Sequence, residues 1–445
     1  MSTFNTYPYA SLQAQDAVTA KMMFSDGPDK DAFYRLRTST PRSVFEGSTI
    51  YDANTAYFDN DVTAGASITG PGTDASMVLT VNAGSTLNAY AARQSHFYAH
   101  YQPGKSFLAY FSFTFGAPVV GLVKRVGWYD VDNNNANVPL NGILLEQSAT
   151  GLSWSVYKGD GTAQNVAQSS WNVDPLNGAG ASGLTLDAQN NLLAFIDLEW
   201  LGVGRVRVGF FVNGVPVVCH AFTNAQFTVP YVNNPLFPIR YEIRRVVGTP
   251  TLVGSFRAIC CAMISEAGFD AIGTVRSLIS PTILVSQSAQ DSILSIRLQP
   301  GRTSGYPRAQ LIPISLEMAS DIGGNATAFY HLYLWRPSST SAVPAGWLNV
   351  STTLGGAGSF AQYNTSTAMY TAMSTDVSTN NAFCVQIDEG SVSSTSKSSF
   401  QYVARSLNIA QSNVDRDLTD ILVVVIRNTT PNSRNFTALL TWREI

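Results

Sequence analysis

LLAFIDLEW (192–200), LGVG (201–204), RVRVGFFV (205–212), NG (213–214) and VPVVCHAF (215–222) follow one another without a break. Asn213-Gly214 between two β-type runs is the strongest short hairpin signal, because a type I′ turn needs positive φ at both central residues. A two-residue loop pairs Val212 with Val215. Phe210 then faces Val217, Val208 faces Cys219 and Val206 faces Ala221, which makes one apolar face. The other face carries Arg207 opposite His220. Upstream, a three-residue loop, Gly202-Val203-Gly204, pairs Trp200 with Val206 and Glu199 with Arg207. A two-residue loop would put Glu199 on the apolar face, and a one-residue slip flips every side chain. The expected unit is a three-stranded meander with a core face and a polar row Glu199–Arg207–His220.

The same texture extends along the chain. From about 46 to 268, short apolar runs alternate with GPGTD (70–74), DNNNAN (132–137), KGDGT (158–162) and NNP (233–235). Short strands broken by turn signals indicate a sandwich or barrel. From about 280 to 445 the pattern resumes with more Ser and Thr, in runs such as Ile293–Leu298, Tyr330–Trp335, Ile421–Ile426 and Ala438–Trp442. No long 3.6-period segment stands out. The expected organisation is all-β: an N-terminal arm (1–45), a jelly-roll-like antiparallel β-sandwich (46–270) and a second β-sandwich domain (280–445). The arm is expected to lie on a neighbour or on its own chain. The polar stretch 355–380 is expected to need neighbours for its order.

Composition narrows the function classes. The chain has 445 residues, 45% of them apolar, and only 13% carry charge, about half the usual share of roughly 25%. Disordered chains show the reverse balance. No Lys/Arg cluster marks a nucleic-acid surface. The purest long apolar run, Ile421–Ile426, is far short of the roughly 18 residues of a membrane span. The N-terminal residues show no basic and then apolar export signal, so the expectation is a soluble chain made in the cytosol. Cys219, Cys260, Cys261 and Cys384 have no metal-ligand spacing and read as reduced thiols.

The candidate chemistry is thin. Asp197 and Glu199 sit two apart on one strand face, and FIDLEW resembles the E-x-D-x-E strand of laminarinase-like glycoside hydrolases, which use paired carboxylates. The position of the first Glu, the nucleophile, is Phe195 here. A cross-strand ion pair is the structural role for such a carboxylate. His96 and His100 are four apart, but no H-E-x-x-H carboxylate accompanies them. Asp130-Val-Asp132 resembles a calcium loop without its glycine (Asn135) or final glutamate (Asn141). N-x-S/T triplets start at Asn325, Asn349, Asn364, Asn428 and Asn435.

Three stretches carry a family resemblance: KRVGWYDVDN (124–133), FIDLEWLGVGRVRVGFFVNGVPVVCHAF (195–222) and the closing LTWREI (440–445). They resemble virion structural proteins of large double-stranded DNA viruses and tailed phages. In that family a W-L-G-V-G-x-V-R-x-G core precedes a short hairpin and H-x-F. The resemblance implies a non-enzymatic minor capsid, vertex or outer-shell component located in the virion and assembled in the host cytoplasm. It implies no catalytic, cofactor-binding or metal-binding residues and no cofactor. Implied partners are the major capsid protein, neighbouring minor proteins or further copies of the chain, without nucleic acid or a membrane span. The alternatives are a lectin-like adhesin or tail appendage reading host glycans, and a laminarinase-like hydrolase.

Overall fold

The computed structural model describes residues 30–444 apart from 33–35, 39, 56, 100, 133–137, 160–161, 226, 234, 249, 267–272, 300–309, 323–326, 339, 351–358, 381, 393–394 and 400–418. The chain divides into two compact units, Met1–Asp270 and Ala271–Ile445. Both are built of antiparallel strands, so the protein is an all-β sandwich protein.

In the first unit the strands are β1 (Pro41–Ser48), β2 (Phe58–Val62), β3 (Ala66–Thr69), β4 (Met77–Val81), β5 (Tyr90–Tyr98), β6 (Phe107–Thr114), β7 (Leu122–Asp132) and β8 (Val138–Ser148). There follow β9 (Gly151–Lys158), β10 (Ala163–Ala167), β11 (Asn191–Leu198), β12 (Val206–Val212), β13 (Val215–Phe222), β14 (Pro238–Arg245) and β15 (Gly254–Glu266). One sheet runs β13-β12-β11-β6-β15-β4-β3, with β1 also on β15; the other runs β10-β9-β8-β7-β14-β5-β2. Period-2 alternation sends Phe111, Phe113, Ile196, Phe210 and Val217 from the first sheet into one core with Trp128, Ile143, Trp154, Tyr241 and Ile243 from the second. Rings bridge the layers: Trp154 meets Phe210 at 5.8 Å and Tyr241 meets Phe256 at 6.0 Å.

The hairpin β12–β13 has the expected turn. Val212 pairs with Val215, and Asn213 and Gly214 have φ of 53° and 79°. Phe210 faces Val217 as expected. Beyond that point a bulge between Val208 and Gly209 shifts the register, so Val208 faces His220 and Arg207 faces Ala221. The bulged strand has one more residue than its partner, which the loop rule alone does not foresee. The upstream turn also corrects the expectation. Leu198 pairs with Val206 and Asp197 with Arg207, so residues 199–205 form the connection and Glu199 does not stand opposite Arg207 in the ladder. Two motif glycines are steric necessities. A Cβ at Gly204 would sit 1.7 Å from the Glu199 carbonyl oxygen, and one at Gly209 would sit 2.1 Å from that of Val217.

The second unit contains β16 (Thr274–Ile279), β17 (Ile283–Val285), β18 (Gln290–Leu298), β19 (Leu311–Ser320), β20 (Ala328–Arg336), β21 (Leu348–Asn349), β22 (Ala361–Asn364), β23 (Phe383–Val392), β24 (Thr395–Ser399), β25 (Ile421–Arg427) and β26 (Arg434–Glu444). They form a sheet β16-β26-β19-β24, with β17 on β26, and a sheet β21-β22-β18-β25-β20-β23. The unbroken apolar run of β25 has a cause: all six residues from Ile421 to Ile426 are buried, so both faces of the strand are covered. Ile421, Val423 and Val425 pack with Trp335 against Met369 and Met373. Those methionines belong to a helix, α1 (Met369–Asn380), inside the stretch expected to depend on neighbours. The sequence lacks a strong apolar stripe there, and tertiary bonds hold the helix instead. Asp376 accepts from Trp335 Nε1 at 3.0 Å, Ser338 Oγ at 2.6 Å and Asn380 Nδ2 at 2.8 Å.

Candidate functional site

Alternation along β11 points Ala194, Ile196 and Leu198 into the core and Phe195 and Asp197 to the outer face. Phe195 lies in a small apolar cluster with Leu108 and Val218. Asp197 is an ion-pair centre. Its Oδ2 receives Arg207 Nη2, and its Oδ1 receives Arg37 Nη2 at 2.7 Å. Arg37 continues to Ser106 Oγ at 2.9 Å and Glu266 Oε1 at 3.1 Å. The strap formed by residues 30–32 and 36–38 is tied down as well. Arg207 Nη2 donates to the Lys30 carbonyl, and Arg205 Nε donates to that of Ala32 at 3.1 Å. This part of the N-terminal arm therefore lies on its own chain.

The geometry bears on hydrolysis. A glycosidase needs two carboxylates flanking an accessible sugar bond. Asp197 and Glu199 are each 1% exposed, and both oxygens of Asp197 are occupied by guanidinium groups. The hydrolase pattern and the W-L-G-V-G-x-V-R-x-G pattern overlap in this stretch, and its polar members here fasten a strap. Arg37 and Glu266 carry no local signal, because they reach Asp197 and Arg37 across 160 and 229 residues of sequence.

A second network occupies the outer face of the other sheet. Arg240, Glu242 and Arg244 alternate on β14, and Arg125 of β7 sits directly across from Glu242. Glu242 Oε2 accepts from Arg240 Nε at 2.9 Å and Nη2 at 2.6 Å. Its Oε1 accepts from Arg244 Nε at 2.9 Å and Arg125 Nη1 at 3.1 Å. Arg125 also donates to Glu146 at 2.7 Å, and Arg240 to Gln94 at 2.9 Å. Burial alone would raise the Glu242 carboxyl, but Arg244, Arg240 and Arg125 outweigh it and hold the group well below the usual carboxylate range.

The other candidates take structural places. His96 lies on a strand, 3.4 Å from Asp59, and His100 lies outside the described residues. The spacing of four therefore belongs to no helix. His220 accepts from the Asn172 amide at 3.1 Å, and burial lowers its pKa to about 4. Asp130 and Asp132 end β7, and residues 133–137 lie outside the described residues. Among the described residues no group of three His, Cys, Asp or Glu could hold a metal ion. No helix among them is long and apolar enough to cross a membrane. Asn364 and Asn428 are buried and donate to backbone carbonyls. Of the other triplet asparagines, Asn349 and Asn435 are exposed and Asn325 lies outside the described residues.

One loop does present aromatic surface. Between β1 and β2, Tyr51 is 93% exposed, with Ile50 and Tyr57 also exposed on the same loop. Asp52 Oδ1 braces this loop by accepting from the Asn54 amide at 2.8 Å.

No protein-family model matches the chain, and no curated protein matches it. Solved structures do. A winged bean acidic lectin complexed with methyl-α-D-galactose is similar at 11% identity and a TM-score of 0.32, covering 51% of this chain and 99% of that one. A Bacillus licheniformis β-glucanase is similar at 14% identity and a TM-score of 0.31, covering 50% and 96%. The Emp47p carbohydrate recognition domain is similar at 11% identity and a TM-score of 0.31, covering 51% and 97%.

Proposed function

We propose that the protein is a non-enzymatic component of a virus particle that acts through β-sandwich packing and contacts between subunits. The virion assignment rests on the sequence resemblance of residues 124–133, 195–222 and 440–445. The observation that supports a packing role is the use made of that motif's polar groups. Asp197, Arg205 and Arg207 hold the chain's own strap, and Gly204 and Gly209 permit close backbone approach. Arg37 and Arg207 engage both Asp197 oxygens, which argues against that carboxylate acting on a sugar.

The test is mass spectrometry and immunogold labelling of purified particles from the source virus. Copies of the chain at a regular position on the particle are the expected result. Its absence from particles would overturn the assignment. Turnover on β-glucans that disappears in Glu199→Gln would overturn the non-enzymatic part.

A second reading is glycan binding, favoured by the exposed Tyr51 and Tyr57 on the β1–β2 loop. Tyrosine offers a large rigid face with a polar tip. Glycan-array binding that is lost in Tyr51→Ala would establish this reading; an array without binding would dismiss it.

A further inference from the structure

Arg37 and Arg207 meet Asp197, Arg125, Arg240 and Arg244 meet Glu242, and Arg336 meets Asp420 at 2.9 Å. Arg297 of β18 is different. It is half-buried and makes no ion pair among the described residues. Desolvation lowers its pKa to about 10, with no acidic neighbour to offset the burial.

The sheet sets what surrounds this guanidinium. Arg297 stands opposite Gln362 of β22 and Ile421 of β25, and Ser295 stands opposite Asn364 and Val423. Directly opposite residues share a face, so all six side chains lie on one side of the sheet. Trp347, in the loop before β21, packs against the Ile421 and Val423 cluster of that side. Asn364 secures the loop by donating to the Ala345 carbonyl at 3.0 Å. Arg297 lies over the Trp347 ring, 4.0 Å from its centroid. Its Nε and Nη2 donate to Gln362 Oε1 at 3.1 and 3.0 Å, and Gln362 Nε2 donates to Asn349 Oδ1 at 3.0 Å. One edge of the guanidinium is therefore anchored. The end-on edge, with both protons of Nη1 and one of Nη2, has no acceptor among the described residues.

Two further donors on this face are unused. Ser295 Oγ and Trp347 Nε1 are buried without a hydrogen-bond partner, and Ser295 is 1% exposed. Orphaned buried donors are rare and costly. A held guanidinium fork, an indole N–H and a hydroxyl with spare protons are complementary to an acidic acceptor. The fork matches a carboxylate in a two-bond contact. No second cation contributes to the electrostatics of Arg297, and a single positive charge matches a carboxylate monoanion better than a phosphate near charge −2.

We propose that Arg297, with Trp347 and Ser295, forms a binding site for the carboxylate of a small ligand. The site lies within the second unit and depends on neither the particle assignment nor the Tyr51 loop. The experiment is fluorine NMR of the full chain labelled with fluorotryptophan, titrated with glutarate and with glucuronate at constant ionic strength. The chain has seven tryptophans, and Trp347→Phe identifies the signal of Trp347. That signal should shift saturably with both acids, in the millimolar range, and should ignore glucose and sodium chloride. Tighter binding of glucuronate would extend recognition to a sugar ring, and tighter binding of glutarate would extend it to an acidic chain. Arg297→Lys keeps the charge without the fork and should weaken binding at least tenfold; Arg297→Gln should abolish the shift. Arg297 has no ion pair to lose, so Arg297→Gln should melt no earlier than the parent, and the remaining tryptophan signals check its fold. If that variant unfolds, Arg297→Lys and Ser295→Ala carry the test. A Trp347 signal that ignores both acids, or that responds as strongly without the Arg297 fork, overturns the proposal. So does saturation by inorganic phosphate at a lower concentration than by glutarate.

Discussion

Glu242→Gln is the sharpest perturbation the structure offers. Arg125, Arg240 and Arg244 supply three positive charges, and Glu242 and Glu146 two negative ones, so the network carries 3 − 2 = +1. The substitution raises that to +2 and removes the one carboxylate that all three guanidinium groups share, while Arg240 and Glu242 are fully buried. Breaking a buried pair by removing one partner costs about 3–5 kcal/mol. At about 2–4 °C per kcal/mol for a unit of this size, the midpoint should fall on the order of 10 °C. Glu146→Gln is the control. Its carboxylate pairs with Arg125 and is more exposed, and its loss should cost roughly 1 kcal/mol or less. Differential scanning calorimetry of the full chain reads both. A pH series adds an independent sign. The folded Glu242 carboxyl titrates below its unfolded value, so its stabilisation is complete above about pH 4.3 and is lost as pH falls towards the folded value. Glu242→Gln should flatten that part of the acid limb. A Glu242→Gln melt within about 2 °C of the parent would refute the claim that the network is structural.

Asp197→Asn should release the strap at Lys30 and Arg37, so trypsin should cut after either residue at least tenfold faster; unchanged cleavage would show that Asp197 does not hold it. His220 is depressed to about 4 by burial and accepts from Asn172, so stability is full above about pH 6.5 and declines as pH falls from there to about 4. His220→Asn should remove that slope, and a parent without it contradicts the assignment. Burial pushes the Cys261 thiol to about 12, that of Cys384 to about 11 and that of Cys219 well above the ordinary range. A thiolate-specific reagent near pH 8 should therefore label these three only on unfolding, and rapid native labelling of Cys261 would contradict its burial. Asp376→Ala removes the acceptor shared by Trp335, Ser338 and Asn380 and should destabilise the second unit by about 1–3 kcal/mol. A chemical melt followed by tryptophan fluorescence checks it, and no change would mean that α1 stands without that anchor.

Local sequence spoke clearly where neighbours in the chain are also neighbours in space. Asn213-Gly214 specified a turn and the first pairs beside it, because a two-residue loop admits few backbone shapes. It could not specify the bulge at Val208/Gly209, since a bulge answers to packing on the sheet rather than to the turn. The expected register of Glu199 opposite Arg207 failed for a related reason: the 199–205 connection is longer than its glycines suggested, and a shift of two residues put Asp197 opposite Arg207 instead. The helix Met369–Asn380 was illegible, because its order comes from Asp376 and two methionines meeting β20 and β25, not from a stripe in its own sequence.

By itself the sequence determined an all-β protein. Alternating β-branched and aromatic residues between turn formers leave the backbone no other way to bond itself while burying one face. It also determined how few charges there would be. Only the tertiary structure decided where those charges went. Arg37 met Asp197 and Glu266 across long spans of chain, Glu242 gathered three arginines, and Lys124 turned inward onto the carbonyls of Phe115 and Ala117. A buried charge is tolerated only beside its partners, and which residues become partners is fixed by strand order in the sheets.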